Sequence, residues 1–441
     1  MLQTLKNAFK IKEIRLKLLF TLAMMVVIRF GSQLPVPGVD IAQFTSWFAS
    51  KTGDADTSGF LSAFTGGSFE NMSILALNIT PYITSSIIMQ LLTIAIPKLE
   101  EMQKEGEDGR KKIASITRYV TVGLALIEST AMAIAFKNSE MLVDGSVLSM
   151  ISVIATLTAG SAFLMWVGEQ ITEHGVGNGI SIVLVINIIS RIPADMATLF
   201  KQFVLVEGKP IAVKIVAALI IIAIIVAIVV LVIVLSDGIR KIPVQYAKKV
   251  QGRKMVGGNT SAIPLKINTA GVIPVIFASS LMQLPVVICN FFNVRASGFW
   301  AGVLKTLSSN NWVKPKEPVY SIGLLIYILL VVFFAYFYTS ITFNPLEVAE
   351  NMKKSGGFIP GIRPGKPTSE YLTKVLNYII FIGAVGLTIV CIIPYIFNGI
   401  FGASVSFGGT SLIIIVSVIL ETIKQVESQM LVRNYKGFLN D

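Results

Sequence analysis

Ten long apolar segments run through this chain, and lysine and arginine collect in every second gap between them. The segments fall near 16–34, 75–96, 115–136, 148–168, 179–190, 211–235, 270–292, 318–342, 374–396 and 410–430; the fifth is short unless it continues past Pro193. From Ile215 to Leu235 there is no polar side chain at all. Roughly 20 apolar residues are enough to cross a bilayer as a helix. Only a helix or a closed barrel satisfies every backbone N–H and C=O inside lipid, so segments of this length predict an all-α polytopic protein. The N-terminal stub, the even-numbered gaps and the C-terminal tail, with Lys374 and Lys424 at the span ends beside them, hold 24 Lys and Arg, and the odd-numbered gaps, with Lys214, hold 10. Basic residues near span ends remain cytoplasmic during insertion. Both termini are therefore expected in the cytoplasm, which an even number of spans also requires.

Charged residues make up 14% of the chain and apolar ones 54%, whereas soluble domains are about 25% charged. The stub ahead of the first span is charged and no small-residue cleavage site follows it, so the first span is expected to be retained. The net charge is +12, and its excess lies on the expected cytoplasmic side. Membrane topology by itself requires such an excess. A basic face also suits docking of something anionic, such as ribosomal RNA or an acidic motor. Cys289 and Cys391 both lie in apolar spans, a pattern that implies neither a disulfide nor a metal framework.

Five spans on either side of a long external connection divide the chain into an N-terminal half (1–190), a hinge loop (191–210) and a C-terminal half (211–441). An odd number of spans per half forces the second half to insert upside down relative to the first, the geometry of inverted repeats. One segment breaks the pattern. Phe60–Met72 (FLSAFTGGSFENM) is apolar on one side but too short and too rich in Gly and Ser to span. It is either a piece buried at membrane depth against protein or an amphipathic turn on the external surface. The gaps 236–267 and 343–374 are long, basic and punctuated by Gly and Pro. Gly356, Gly357, Pro360, Gly361, Pro364 and Gly365 surround Arg363, which predicts a rigid, turn-filled tip suited to docking.

Catalytic chemistry has little material here. His174 is the single histidine, which excludes a metalloprotease helix with two histidines. The run Gly175, Gly177, Asn178, Gly179 lacks the preceding strand and the Lys-Ser/Thr ending of a phosphate loop. It reads as a tight entry to the fifth span, where glycines permit unusual backbone angles and close approach. No catalytic residue, metal site or cofactor is expected. An ionisable residue inside a span is a functional candidate, and Glu128 lies near the middle of the third span. Asn78, Thr80 and Asn268 add polar groups at span ends. A secondary transporter of small solutes would use such groups for substrate and coupling ion. It would ordinarily show more than one acid there.

Several stretches resemble the SecY family, the central subunits of the bacterial protein-translocation channel. They are RFGSQLPVPGVD (29–40), ALNITPYITSSIIMQLLT (76–93), KEGEDGRKKI (104–113), FLMWVGEQITEHGVGNGISI (163–182), YAKKVQGRK (246–254), PLKINTAGVIPVIFASS (264–280), FNPLEVAENMKKSGGFIPGIRPGKPT (343–368) and FGGTSLII (407–414). They occur in the family's order over roughly 15–435. The external loops 136–150 and 295–317 carry no such match.

The resemblance implies a ten-helix clamshell of two pseudo-symmetric halves around an hourglass pore in a bacterial plasma membrane. It implies an aliphatic constriction of Ile79, Ile83, Ile180, Leu184, Ile276 and Ile414, with Leu184 replacing the family's isoleucine. The segment 60–72, with Phe60, Leu61, Phe64, Gly66, Gly67 and Phe69, becomes a plug under this resemblance. A lateral gate to lipid is implied between spans 2–3 and 7–8, with Thr84, Glu128 and Asn268 as its polar contacts. Arg240, Lys241, Lys248 and Arg363 are implied to dock the SecA motor or the ribosome. SecE and SecG are the implied partners in a heterotrimer, and signal sequences and unfolded precursor polypeptides are the implied cargo, with release of apolar segments into membrane lipid. Physically, an apolar constriction gates by dewetting and binds no particular cargo chemistry.

Overall fold

The computed structural model describes residues 9–52, 65–205, 210–246, 249–251, 254–256, 260–291, 298–308, 312–313, 318–401 and 409–437. Each of the ten expected spans coincides with a helix. In chain order the elements are α1 (Lys12–Gly31), the short α2 (Ile41–Thr52), α3 (Thr80–Ala95), the short α4 (Pro97–Lys104), α5 (Glu107–Asn138), α6 (Val147–His174), α7 (Gly179–Leu199) and α8 (Ile211–Asp237). Strands β1 (Ile239–Tyr246), β2 (Lys249–Gln251), β3 (Lys254–Val256) and β4 (Thr260–Lys266) follow. Then come α9 (Ile273–Phe291), the short α10 (Phe299–Leu307), α11 (Ile322–Thr342), the short α12 (Pro345–Lys354), β5 (Gly357–Phe358), α13 (Lys366–Phe401) and α14 (Gly409–Gly437). Among the described residues, six helical stretches are long and apolar enough to cross a membrane. The pair α3 and α4, bent by 100° at their junction, makes a seventh. The bend follows from Pro97. The residue before a proline is driven out of the helical region, and Ile96 is extended at φ −111, ψ 111.

Several helix starts carry side-chain caps. Ser146 Oγ accepts from the Ser149 N–H, Asn178 Oδ1 from the Ser181 N–H, and Asn344 Oδ1 from the Leu346 N–H. Each such cap is worth about 1 kcal/mol. At the turn between α6 and α7 the two helices almost touch. A Cβ at position 179 would lie 1.8 Å from the Gly168 carbonyl oxygen, so the glycine there is a packing requirement.

The stretch 191–210, expected as a loop, is helical through its first part. α7 continues through Pro193 to Leu199, and a π-helical turn Phe200–Val204 follows. Leu199, with Met196 and Phe203 beside it, packs into the apolar core of the second half. That packing outweighs the roughly 3 kcal/mol cost of an interior proline.

Within the first five spans, α3 lies on α5, α5 on α6, and α6 on α7. Within the second five, α9 lies on α11, α11 on α13, and α8 on α13 and α14. The two groups meet at α7 against α14 and at α5 against α9.

The described residues of the basic gap 236–267 form antiparallel strands. β1 pairs antiparallel with β4, placing Ile242 opposite Ile263, and β5 adds to the other edge of β1. Ile242 and Val244 alternate inward and pack with Leu265, Met352, Ile359, Leu372 and Ile379. The two basic gaps therefore form one packed unit with the start of α13.

Candidate functional site

The site is organised along one face of α7. Residues 180, 184, 187, 191 and 195 recur at the three- and four-residue spacing that lines one side of a helix. Their identities are Ile180, Leu184, Asn187, Arg191 and Asp195. The stripe is aliphatic at its start, amide in the middle and charged at its end.

Its aliphatic part joins an apolar cluster drawn from several spans. Ile79 and Ile83 from the start of α3, Ile180 and Leu184 from α7, Ile276 from α9 and Ile414 from α14 all belong to it. Ile79, Leu184 and Ile414 are buried and the other three are half-buried. All six side chains expected at a constriction are thus brought together, and none lies on the outer surface. Leu164, Val167 and Ile171 of α6 back the cluster.

One turn further along α7 the chemistry changes. Asn187 Nδ2 donates to Asn78 Oδ1 at 2.9 Å, in a buried bond between the residue preceding Ile79 and α7. Asn78 sits in the left-handed region at φ +54, which Asn tolerates better than most residues. Beyond this amide pair lies the described part of the expected plug, 65–72. Gly66 is pressed onto α7 so closely that a Cβ would lie 2.6 Å from the Asn187 carbonyl oxygen, and its φ is +62. Any larger residue would be both strained and obstructed. The Gly66 carbonyl accepts hydrogen bonds from Arg29 Nη1 at 3.3 Å and from Ser190 Oγ at 3.4 Å. Glu70 grips Arg191 with both carboxylate oxygens, one of them at 2.7 Å from Nη2, the bidentate geometry that makes Arg–carboxylate pairs strong. Arg191 Nε is also 3.5 Å from Asp195 Oδ1. Phe69 is 5% exposed and meets Phe44 edge-to-face at 5.8 Å; Phe44 in turn meets Phe136 of α5. Gly67, the remaining described plug residue, adopts φ +82 beside Arg191. Phe60, Leu61 and Phe64 lie outside the described residues.

Thr84, Glu128 and Asn268 are placed differently. Thr84 and Glu128 are half-buried on α3 and α5, and Asn268 is buried in the turn ahead of α9. α5 and α9 do touch, but among the described residues no hydrogen bond joins these three side chains. The Ile267–Asn268 turn is seated against Gly383 of α13, where a Cβ would lie 2.4 Å from the Ile267 carbonyl oxygen.

On the basic face, Arg240 and Lys241 are exposed on β1 and Arg363 is exposed in the turn after β5. Thr368 Oγ1 donates to the Arg363 carbonyl at 2.8 Å, which ties that turn to α13. Lys248 lies outside the described residues. Nearby, a hydrogen bond from Lys104 to Glu100 at 2.7 Å raises the lysine above its usual range, and Glu347 on α12 adds to the same effect. Among the described residues no group of three or more His, Cys, Asp or Glu could hold a metal ion.

Sequence reasoning counted Arg191 as a loop cation and passed over Asn187, Ser190, Asp195, Arg29 and Glu70. Continuing the helical stripe of Ile180 and Leu184 past Pro193 would have found two of them, Asn187 and Asp195, and placed Arg191 on the helix.

Comparison with known proteins agrees in sequence and in fold. The family model described as SecY matches residues 73–423. The protein translocase subunit SecY of Streptomyces galbus is 43% identical over 456 residues, covering 100% of both chains. That of Halalkalibacterium halodurans is 42% identical over 446 residues with the same coverage, and that of Staphylococcus aureus is 40% identical over 444 residues, covering 99% of each. Among solved structures, a protein-conducting channel superposes with TM-score 0.60 at 19% identity, covering 94% of this chain and 92% of the other. The Sec61 channel from a canine ribosome–channel complex gives TM-score 0.60 at 17% identity with the same coverage.

Proposed function

The chain belongs to the SecY family, and from that premise we propose that it forms the pore of a protein-conducting channel. It is a multi-pass protein of the plasma membrane. It moves unfolded secretory polypeptides across that membrane and releases transmembrane segments sideways into lipid. The observation that carries the reading is the junction of six aliphatic side chains from four spans beneath a short docked segment. An aliphatic ring makes no demand on cargo chemistry. It excludes water and ions by dewetting when empty and closes around a chain of any sequence when occupied. In this reading Ile79, Ile83, Ile180, Leu184, Ile276 and Ile414 are the constriction and 60–72 is the plug above it.

The same reading assigns the remaining residues. The lateral gate lies between spans 2–3 (α3, α5) and 7–8 (α9, α11), which touch where α5 meets α9, and Thr84, Glu128 and Asn268 supply its polarity. Burial of an apolar segment in lipid drives its exit there. The termini and the basic face lie in the cytoplasm. Arg240, Lys241, Lys248 and Arg363 dock the SecA motor and the ribosome, while SecE and SecG complete the heterotrimer. The channel hydrolyses nothing and needs no cofactor; the energy comes from its partners. Reconstitution with those partners into vesicles tests the function. ATP-dependent uptake of an unfolded secretory precursor is expected. Uptake of small solutes in its place would favour a secondary transporter.

A further inference from the structure

The ion pairs at the outer end of α7 have a role that neither the ring nor the plug as such explains. We propose that Arg191 is a latch that sets how readily the channel opens, and so determines how strong an arriving signal segment must be; this rests on the plug reading above.

The segment 65–72 is held in two different ways. Phe69 roots it in the first half through a buried aromatic contact with Phe44. Gly66 and Glu70 hold it against α7 through close packing on the Asn187 backbone and polar contacts with Ser190 and Arg191, and Arg29 of α1 also donates to the Gly66 carbonyl. The aromatic contact involves no residue of α7 and need not change when α7 moves. The polar contacts lie on the helix that carries Ile180 and Leu184, so displacement of α7 by a chain entering the ring acts directly on them.

The charges are arranged for release as well as for holding. With the segment docked, Arg191 faces Glu70 and Asp195 together. When the segment leaves, Glu70 goes with it toward water. Asp195, one turn on along the same helix and with its side chain 7% exposed, stays beside the guanidinium. A buried charge left without a counterion is strongly unfavourable, and Asp195 prevents that state. Glu70 therefore favours the closed arrangement, and Asp195 favours the open one relative to it. Removing these two acids should have opposite effects, which a merely structural cluster would not produce.

The experiment measures resting ion conductance of the reconstituted complex and export of precursors with weakened signals. Glu70→Gln and Arg191→Gln are each expected to raise the resting open probability about tenfold, equivalent to about 1.4 kcal/mol, and to admit weaker signals. Asp195→Asn is expected to change both readouts in the opposite direction. In a channel lacking 60–72, which should already leak, Arg191→Gln is expected to add nothing. If Arg191→Gln fails to assemble, Glu70→Gln decides the matter, because it alters only the docked segment. Wild-type conductance and stringency in Glu70→Gln, with a leaky deletion, would overturn the latch and leave the plug standing. A deletion that does not leak would overturn both. Asp195→Asn acting in the same direction as Glu70→Gln would also refute the latch.

Discussion

A single methylene or carboxylate decides much at the centre of this molecule, because lipid is as apolar as the side chains that meet there. Burial among other apolar groups therefore gives little net drive in a membrane, and the ring of Ile79, Leu184 and Ile414 is maintained by packing against its neighbours. As the proposed constriction, it would depend on being dry. Leu184→Asn is expected to leave the helices inserted and to raise resting ion conductance several-fold, measured in planar bilayers, because an amide there gives water partners inside the constriction. In the proposed gate Glu128 makes no hydrogen bond to Thr84 or Asn268 in this arrangement, so its effect is expected from polar contacts formed or lost as the seam rearranges. Polar contacts between helices in lipid are worth about 0.6 kcal/mol and at most roughly 2. Glu128→Leu is thus expected to shift the gate equilibrium by about threefold to thirtyfold. Export of precursors carrying weakened signals should rise accordingly; identical export in wild type and variant would remove Glu128 from the gate.

At the scale of elements, the strands of the basic gap 236–267 and the turn-rich gap after α12 behave as one piece. β1 lies between β4 and β5, and its inward residues Ile242 and Val244 share a core with Met352, Ile359 and Leu372. Arg240 and Arg363 are thus presented by a common scaffold. Arg363→Glu is expected to abolish motor-driven transport while the spans stay inserted. It should also slow association with the motor and change the salt dependence of that step. Ile242→Asp is a sharper test of the scaffold. A carboxylate at a position 2% exposed costs several kcal/mol unless the unit opens. Binding of both motor and ribosome should then fall together, with protease sensitivity confined to 236–267 and 343–374. Loss of only one partner would separate the two gaps again.

For the whole molecule, two helix–helix seams between the halves among the described residues are α7 on α14 and α5 on α9. Their character differs. α7 and α14 share ring residues and their apolar neighbours, including Val183, Ile415 and Val418, whereas α5 and α9 touch without belonging to a common core. The second seam is the one able to part without breaking the constriction's framework. A covalent crosslink between α5 and α9 is expected to block release of apolar segments into lipid while motor binding is retained. A crosslink between α7 and α14 that had the same effect on lipid release alone would place the gate on the wrong side.

Apolar length determined the ten helices, since nothing else satisfies a backbone in lipid, and alternating Lys and Arg determined the expected orientation. The Pro97 bend and the close α6–α7 approach were also local, because proline and glycine act on their own backbone. The six ring residues were legible only through family resemblance, being ordinary aliphatics until helices from distant parts of the chain set them side by side. The joining of two basic gaps into one sheet-based unit was not legible, since its core pairs Ile242 with Leu372 across many intervening residues. The latch was hidden for the same reason. Arg191 and Glu70 are 121 residues apart, and charge counting placed Arg191 in a loop because Pro193 suggested that the helix had ended. Tertiary packing of Leu199 carried α7 onward and turned a loop cation into the partner of the half-buried Glu70 carboxylate. Local rules read what a residue does to its own backbone and to the solvent around it; which side chains meet depends on contacts that exist only once the chain has folded.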